Sequence, residues 1–122
     1  MTLREKQSIF SKMLGRILCR ATDLGTPVCI LELYRSLETQ RIYVARGVSK
    51  TMNSKHLNGL AVDLVFLSDL QDDGVINYSP EKYKLLGEYW ESLGGRWGGR
   101  FGDNPLTEKI EGWDSGHFEY HE

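Results

Sequence analysis

The chain is short of cysteine, and it has no long apolar run. It contains two cysteines, Cys19 and Cys29, which form no C-x-x-C pair, so a cysteine-rich metal site is excluded. We expect both cysteines to be buried, reduced thiols, and a disulfide between them is the alternative. No apolar stretch approaches the roughly 18 residues that span a bilayer, so no membrane-spanning helix is predicted.

Excess charge of either sign is also absent. The 15 basic and 17 acidic side chains give a net charge of -2, which offers no broad basic surface for nucleic acid or an anionic membrane. We therefore expect neither as a partner. The first residues, MTLREKQ, lack the apolar core of a signal peptide, so synthesis in the cytoplasm is expected. The length of 122 residues predicts a single domain, 1–122, which we expect to be a monomer.

The first half of the chain alternates helical and strand patterns. Thr2 and Glu5 form a potential capping box before an amphipathic helix over residues 3–24. Residues 27–33 read as a buried strand, and Ser36 can cap a short helix that follows it.

The second half begins with the turn signal Asn58-Gly59, which precedes a central strand over residues 60–67. An acidic, solvated loop at 69–74 precedes a helix that starts at Ser79-Pro80, and residues 116–120 form a last strand. This order predicts an α+β domain with a small, mostly antiparallel sheet flanked by helices.

Two short segments contain most of the residues suited to chemistry, SKHLNGLAVD at 54–63 and DSGHFE at 114–119. They offer two imidazoles, two carboxylates and no thiolate. A zinc ion held by three such ligands keeps an open fourth position, which is the pattern of catalytic zinc; structural sites close with four ligands rich in cysteine.

His56, Asp63 and His117 fit that ligand set. Strand alternation places Asp63 on one face with Ala61 and Val65, and a carboxylate buried among apolar neighbours is costly unless it is paired or bound to a cation. The alternatives are an ordinary salt bridge for Asp63 and a surface or capping role for His56.

The same residues resemble a known family. They are Ser54-x-His56-x-x-Gly59-x-Ala61-x-Asp63, followed by Asp114-x-x-His117-Phe118-Glu119. This pattern resembles the signature of the zinc D-alanyl-D-alanine peptidases, in particular the VanY-like carboxypeptidases and the phage L-alanyl-D-glutamate endopeptidases. The likeness extends over about residues 34–119 and includes three further segments: Tyr34-Arg35-Ser36 with Gln40, Gly47-Val48-Ser49, and Trp97-Gly98-Gly99.

The resemblance implies a hedgehog/D-Ala-D-Ala-peptidase-like fold and one Zn²⁺ per chain, bound by His56, Asp63 and His117. It also implies a general base at Asp114 and an oxyanion-stabilising arginine at Arg35, for which a salt bridge with Glu32 or Glu38 is the alternative. Asp114 stands where carboxypeptidases more commonly have Glu. An Asp at this position resembles the L-alanyl-D-glutamate endopeptidases.

A second group of candidates would bind substrate or support the ligands. These residues are Ser54, Gln40, Ser49, Trp97 and Glu119. For Ser54 a loop cap is the alternative, and for Trp97 it is core packing. His121 shares the expected strand face of His117, but a frayed terminus is favoured for it.

The function implied is a zinc peptidoglycan peptidase acting on the stem peptide, most closely an L-alanyl-D-glutamate endopeptidase of a phage or prophage endolysin. It would be made in the host cytoplasm and reach the periplasm or cell wall by holin-type release. Two alternatives remain: a D-alanyl-D-alanine carboxypeptidase or dipeptidase, and a non-catalytic, zinc-containing phage structural or binding protein.

Overall fold

The structure is a computed structural model that describes residues 1–47, 54–101 and 114–122. In chain order these residues form α1 (Leu3–Asp23), β1 (Val28–Glu32), α2 (Leu37–Ala45), a 3₁₀ turn (Lys55–Asn58), β2 (Ala61–Phe66), α3 (Leu67–Gln71), α4 (Pro80–Ser92), β3 (Arg96–Trp97), a second 3₁₀ turn (Gly98–Arg100) and β4 (His117–Glu119). Within these ranges no helix is both long enough and apolar enough to cross a membrane.

The four strands form one antiparallel sheet in the order β1-β2-β4-β3. β2 lies inside the sheet and pairs with β1 on one side and with β4 on the other. Asp63 in β2 stands directly opposite His117 in β4. The α+β prediction with a small antiparallel sheet is therefore confirmed, and the sheet itself brings together two residues that are 54 positions apart in sequence.

Helices α1 and α4 supply the helical half of the core. The buried positions of α1 recur at helical spacing, and a capping box at Thr2 and Glu5 fixes its start, as predicted. One face of β2 completes the core, because alternate residues of a strand point the same way. The buried apolar side chains from these elements include Phe10, Met13, Ile17, Ala21, Val62, Leu64, Phe66, Tyr83, Leu86 and Trp90.

Some predicted elements need correction. β1 is an edge strand instead of a buried one, and Ile30 and Leu31 are about half exposed, because among the described residues only β2 pairs with it. Residues 67–71 are helical where the end of a strand and a loop were expected. In this region Asp69 accepts a hydrogen bond from the Asn77 backbone and pairs with Lys82, which ties the acidic segment to α4.

Two smaller expectations also fail. Cys19 lies on the exposed side of α1, so only Cys29 is partly buried, and both are free thiols. Ser79 precedes α4, but its side chain makes no capping hydrogen bond. The proline at the first position of α4 already has the backbone angle that the helix needs, and it has no N–H that requires a cap.

Trp90 is the largest fully buried side chain of α4. It is fully buried, its ring makes edge contacts with Phe10 and Phe118, and its indole N–H donates to the Glu119 carbonyl at 2.9 Å. We expect Trp90→Ala to lower the free energy of unfolding by about 3–5 kcal/mol, since it leaves a cavity and an unsatisfied carbonyl.

Leu85→Ala on the same helix is the control. Leu85 is 67% exposed, so its loss should change the unfolding free energy by no more than about 0.5 kcal/mol. Urea denaturation with a chelator present would measure both values without a contribution from bound metal. Equal losses for the two variants would contradict this description of the core.

Candidate metal centre

His56 is held by the 3₁₀ turn between α2 and β2. The hydroxyl of Ser54 accepts the backbone N–H of His56 at 3.2 Å and so caps the turn. Gly59 ends the turn with φ of 64°, a left-handed conformation that glycine adopts without steric cost. The Nδ1 of His56 lies 2.7 Å from the carbonyl oxygen of Leu33, which accepts a hydrogen bond, so Nδ1 carries the proton. The lone pair of Nε2 then faces Asp63 Oδ1 at 3.2 Å.

His117 approaches the same oxygen from the neighbouring strand. Its Nδ1 lies 3.1 Å from Asp63 Oδ1, and its Nε2 lies 2.8 Å from Glu119 Oε1. A neutral imidazole that donates from Nε2 to Glu119 presents the lone pair of Nδ1 to Asp63. Glu119 therefore contacts the nitrogen of His117 that faces away from Asp63.

The donor atoms of His56, Asp63 and His117 all lie within 4.8 Å of one another. Two imidazole nitrogens and one carboxylate oxygen that converge in this way match the ligand set of a three-residue zinc site with an open fourth position. The outer nitrogen of each histidine has a backbone or carboxylate partner, as is usual for metal-binding histidines. The chemistry of this donor set fits zinc.

Electrostatics in the triad favour a cation. Burial opposes ionisation of Asp63, but the hydrogen bonds that His117 and His56 donate when the nitrogens facing Asp63 are protonated outweigh burial and hold the pKa of that carboxyl well below its usual range. Burial likewise disfavours the charged form of His117, but hydrogen bonds to Asp63 and Glu119 raise its pKa to about 9. The carboxylates around the two imidazoles thus stabilise positive charge at this point.

Asp114 stands beside the triad without belonging to it. Its Oδ2 lies 3.7 Å from His117 Nδ1, and its side chain is about 40% exposed. Loss of hydration raises the pKa of its carboxyl. The position of Asp114 depends on a glycine at residue 98, because a Cβ on Gly98 would lie 2.0 Å from the Asp114 carbonyl oxygen. A free carboxylate next to the metal ligands can exchange protons with a reacting group.

Arg35 lies between β1 and α2, and its guanidinium adjoins the triad. One terminal nitrogen, Nη2, is 3.8 Å from Asp63 Oδ2. Its salt bridge is with Glu32, and Nη1 donates to Gln40 Oε1 at 2.7 Å. The backbone N–H of Arg35 also donates to the His56 carbonyl at 3.1 Å, which links this segment to the histidine turn. The salt bridge that was the alternative for Arg35 thus exists alongside its place next to the triad.

The remaining candidates have different positions. Gln40 is fully buried and contacts Arg35, whereas Ser54 caps the turn of His56. Trp97 lies in the core and does not wall a cleft: it is fully buried, and its N–H donates to the Ser115 carbonyl at 2.7 Å. Ser49 lies outside the described residues. His121 is exposed beyond the end of β4.

Sequence reasoning missed the supporting role of two residues near Arg35. Glu32 was considered only as one of two salt-bridge partners, and Tyr43 was not considered as a site residue. In the structure Tyr43 donates to Glu32 Oε2 at 3.1 Å, and its ring lies 4.6 Å from the Arg35 guanidinium carbon. The available signal was the spacing of Tyr43 three residues after Gln40, which puts both on one side of α2.

Comparisons with known proteins identify relatives of this chain. An L-alanyl-D-glutamate peptidase of Listeria phage A118 is 39% identical over 98 residues, which cover 77% of this chain and 34% of that protein. The chain thus spans about a third of the length of this curated relative.

Two solved structures share the fold. The L-Ala D-Glu endopeptidase ChiX of Serratia marcescens superposes with a TM-score of 0.56 at 28% identity, over 79% of this chain and 68% of that one. The vancomycin resistance D,D-pentapeptidase VanY, solved in complex with Zn(II), gives a TM-score of 0.56 at 23% identity, over 91% and 70%. The second likeness concerns the fold alone.

The sequence profile described as D-alanyl-D-alanine carboxypeptidase matches residues 47–120, which include all three residues of the triad and Asp114. Because this match covers more than half of the chain, the protein belongs to the D-alanyl-D-alanine carboxypeptidase family.

Proposed function

We propose that this domain is a zinc-dependent peptidoglycan peptidase that hydrolyses an amide bond of the stem peptide, with the L-alanyl-D-glutamate bond as its target. The observation that carries the proposal is a second carboxylate, Asp114, beside a complete His-Asp-His donor set. A site that only binds metal has no need of such a group. The name of the phage relative supports this choice of bond.

His56, Asp63 and His117 would hold one Zn²⁺, which acts as a Lewis acid toward water and the substrate carbonyl. Asp114 is the general base: it takes a proton from the attacking water and passes it to the leaving amine. Arg35 adds positive charge beside the site, where the carbonyl oxygen becomes negative during attack.

The proposed place of action is the bacterial cell wall, where the stem peptide occurs. A protein made in the host cytoplasm would reach it through holin-type release. Mass spectrometry of digested muropeptides would identify the bond. Glycan chains whose peptide stems are shortened to L-alanine indicate the endopeptidase, whereas release of one terminal D-alanine indicates a carboxypeptidase. No cleavage by zinc-loaded protein would contradict both and favour a binding role.

The metal ligands can be tested by zinc content. We expect about one zinc per chain in the wild-type protein and loss of zinc in His56→Ala, Asp63→Ala and His117→Ala, because each removes one of three ligands. His121→Ala is the matched control, since this third histidine is exposed beyond β4. Elemental analysis after dialysis measures all four variants. Zinc retained in the His56 and His117 variants would refute the site.

The role of Asp114 as general base can be tested separately from zinc binding. Asp114→Asn should keep its zinc but lose about 10²–10⁴-fold in kcat, because an amide cannot accept the proton. Asp72→Asn makes the same change at an exposed position and should behave as the wild type. The assay is muropeptide cleavage at saturating zinc. Full activity in Asp114→Asn would show that another group is the base.

Glu119 can be tested through metal affinity alone. Glu119→Gln removes the charge that orients His117, so zinc affinity should fall by about 10- to 100-fold. Glu88→Gln, on the exposed side of α4, is the control. Competition with a chromophoric chelator gives the zinc dissociation constant of each variant. If the two dissociation constants do not differ, Glu119 does not support His117 as a zinc ligand.

A further inference from the structure

The β1–β2 pairing contains an irregularity next to the site. Val28, Cys29 and Ile30 pair in regular register with Phe66, Val65 and Leu64, but Glu32 then pairs with Asp63. Leu31 is therefore an extra residue in β1, a β-bulge. Bulges often occur beside active sites, where they change the direction of a side chain.

The bulge decides which face of the sheet Glu32 occupies. Directly opposite residues in an antiparallel pair have their side chains on the same face. Without the extra residue, Leu31 would stand opposite Asp63, and Glu32 would stand opposite Val62, whose side chain lies in the core. With it, Glu32 shares the face of Asp63, and Leu31 is 56% exposed.

On that face Glu32 connects two other side chains through its two oxygens. Oε1 accepts from Arg35 Nε at 2.6 Å and also contacts Arg35 Nη2, while Oε2 accepts the hydroxyl of Tyr43 at 3.1 Å. Gln40 Oε1 accepts a hydrogen bond from Nη1, and the ring of Tyr43 lies against the guanidinium. Arg35 is thus held by a carboxylate, an amide and an aromatic ring.

These contacts occupy part of the guanidinium fork. Of its five N–H groups, Glu32 Oε1 accepts from Nε and contacts Nη2, and Gln40 Oε1 accepts from Nη1. Nη2 also approaches Asp63 Oδ2 at 3.8 Å, on the side where the metal ligands meet. The orientation of this nitrogen therefore depends on the anchor at Glu32.

We propose that Glu32, placed by the β1 bulge, is a positioning residue that fixes the Arg35 guanidinium beside the metal triad for the peptidase reaction. The proposal rests on the function proposed above. Glu32 does not touch substrate; it keeps Arg35 aimed at the carbonyl oxygen as that oxygen gains charge. Its loss should therefore affect the transition state more than substrate binding.

The test compares Glu32→Gln with Glu38→Gln, which removes the same charge at an exposed position in the first turn of α2. With zinc content and melting temperature measured for each variant, muropeptide cleavage should show kcat reduced by about 10- to 100-fold in Glu32→Gln and KM within about threefold. Glu38→Gln should match the wild type. Tyr43→Phe removes only the bond to Oε2 and should give a smaller loss of kcat in the same direction.

A double-mutant cycle identifies the route of the effect. If Glu32 acts through Arg35, adding Glu32→Gln to Arg35→Ala should cause no further loss. An equal further loss in that background, or equal kcat values for the Glu32 and Glu38 variants, would overturn the proposal while leaving the peptidase function intact. If zinc-loaded wild-type protein cleaves no muropeptide, that result would instead overturn the proposed function, and this inference with it.

Discussion

The structure around the site depends on one largely buried carboxylate. Asp63 lies in the interior strand β2 between the fully buried Ala61 and Val65, where water solvates it poorly. A charge in such a place must be compensated by positive charge and hydrogen bonds. His56, His117 and Arg35 provide these from three separate segments, and each of them is fixed by contacts of its own.

Backbone contacts connect these segments to the sheet. The carbonyl of Leu33 and the N–H of Arg35 both bond to His56, so the end of β1 and the histidine turn hold each other in place. On the other side, the N–H of Leu64 donates to the Gly116 carbonyl at 2.8 Å, just ahead of β4. A Cβ at Gly116 would come within 2.8 Å of the Leu64 carbonyl oxygen, so only glycine allows this approach. The geometry of the triad is thus a property of the sheet and its adjoining turns.

The sequence predicted what depends on local pattern. Helical spacing identified α1, and strand alternation correctly separated Asp63 from its core-facing neighbours. The position of Glu32 was beyond such reasoning, because one bulge reverses the alternation of every residue that follows it. For Trp97 the sequence left core packing and a place at the site both open, since a strand of two residues has no periodicity that decides between them. These features are set by contacts between segments far apart in sequence.

Charge balance links the metal centre to the Arg35 network. Four carboxylates, from Glu32, Asp63, Asp114 and Glu119, surround one guanidinium and two imidazoles. The excess of negative charge contributes to the raised pKa of His117 and favours a divalent cation between the histidines. Arg35 adds its charge to this balance, since Nη2 lies 3.8 Å from Asp63 Oδ2. The Glu32 carboxylate holds the same guanidinium through Nε and Nη2, so Arg35 lies beside Oδ2 of Asp63 while Oδ1 faces the two histidines.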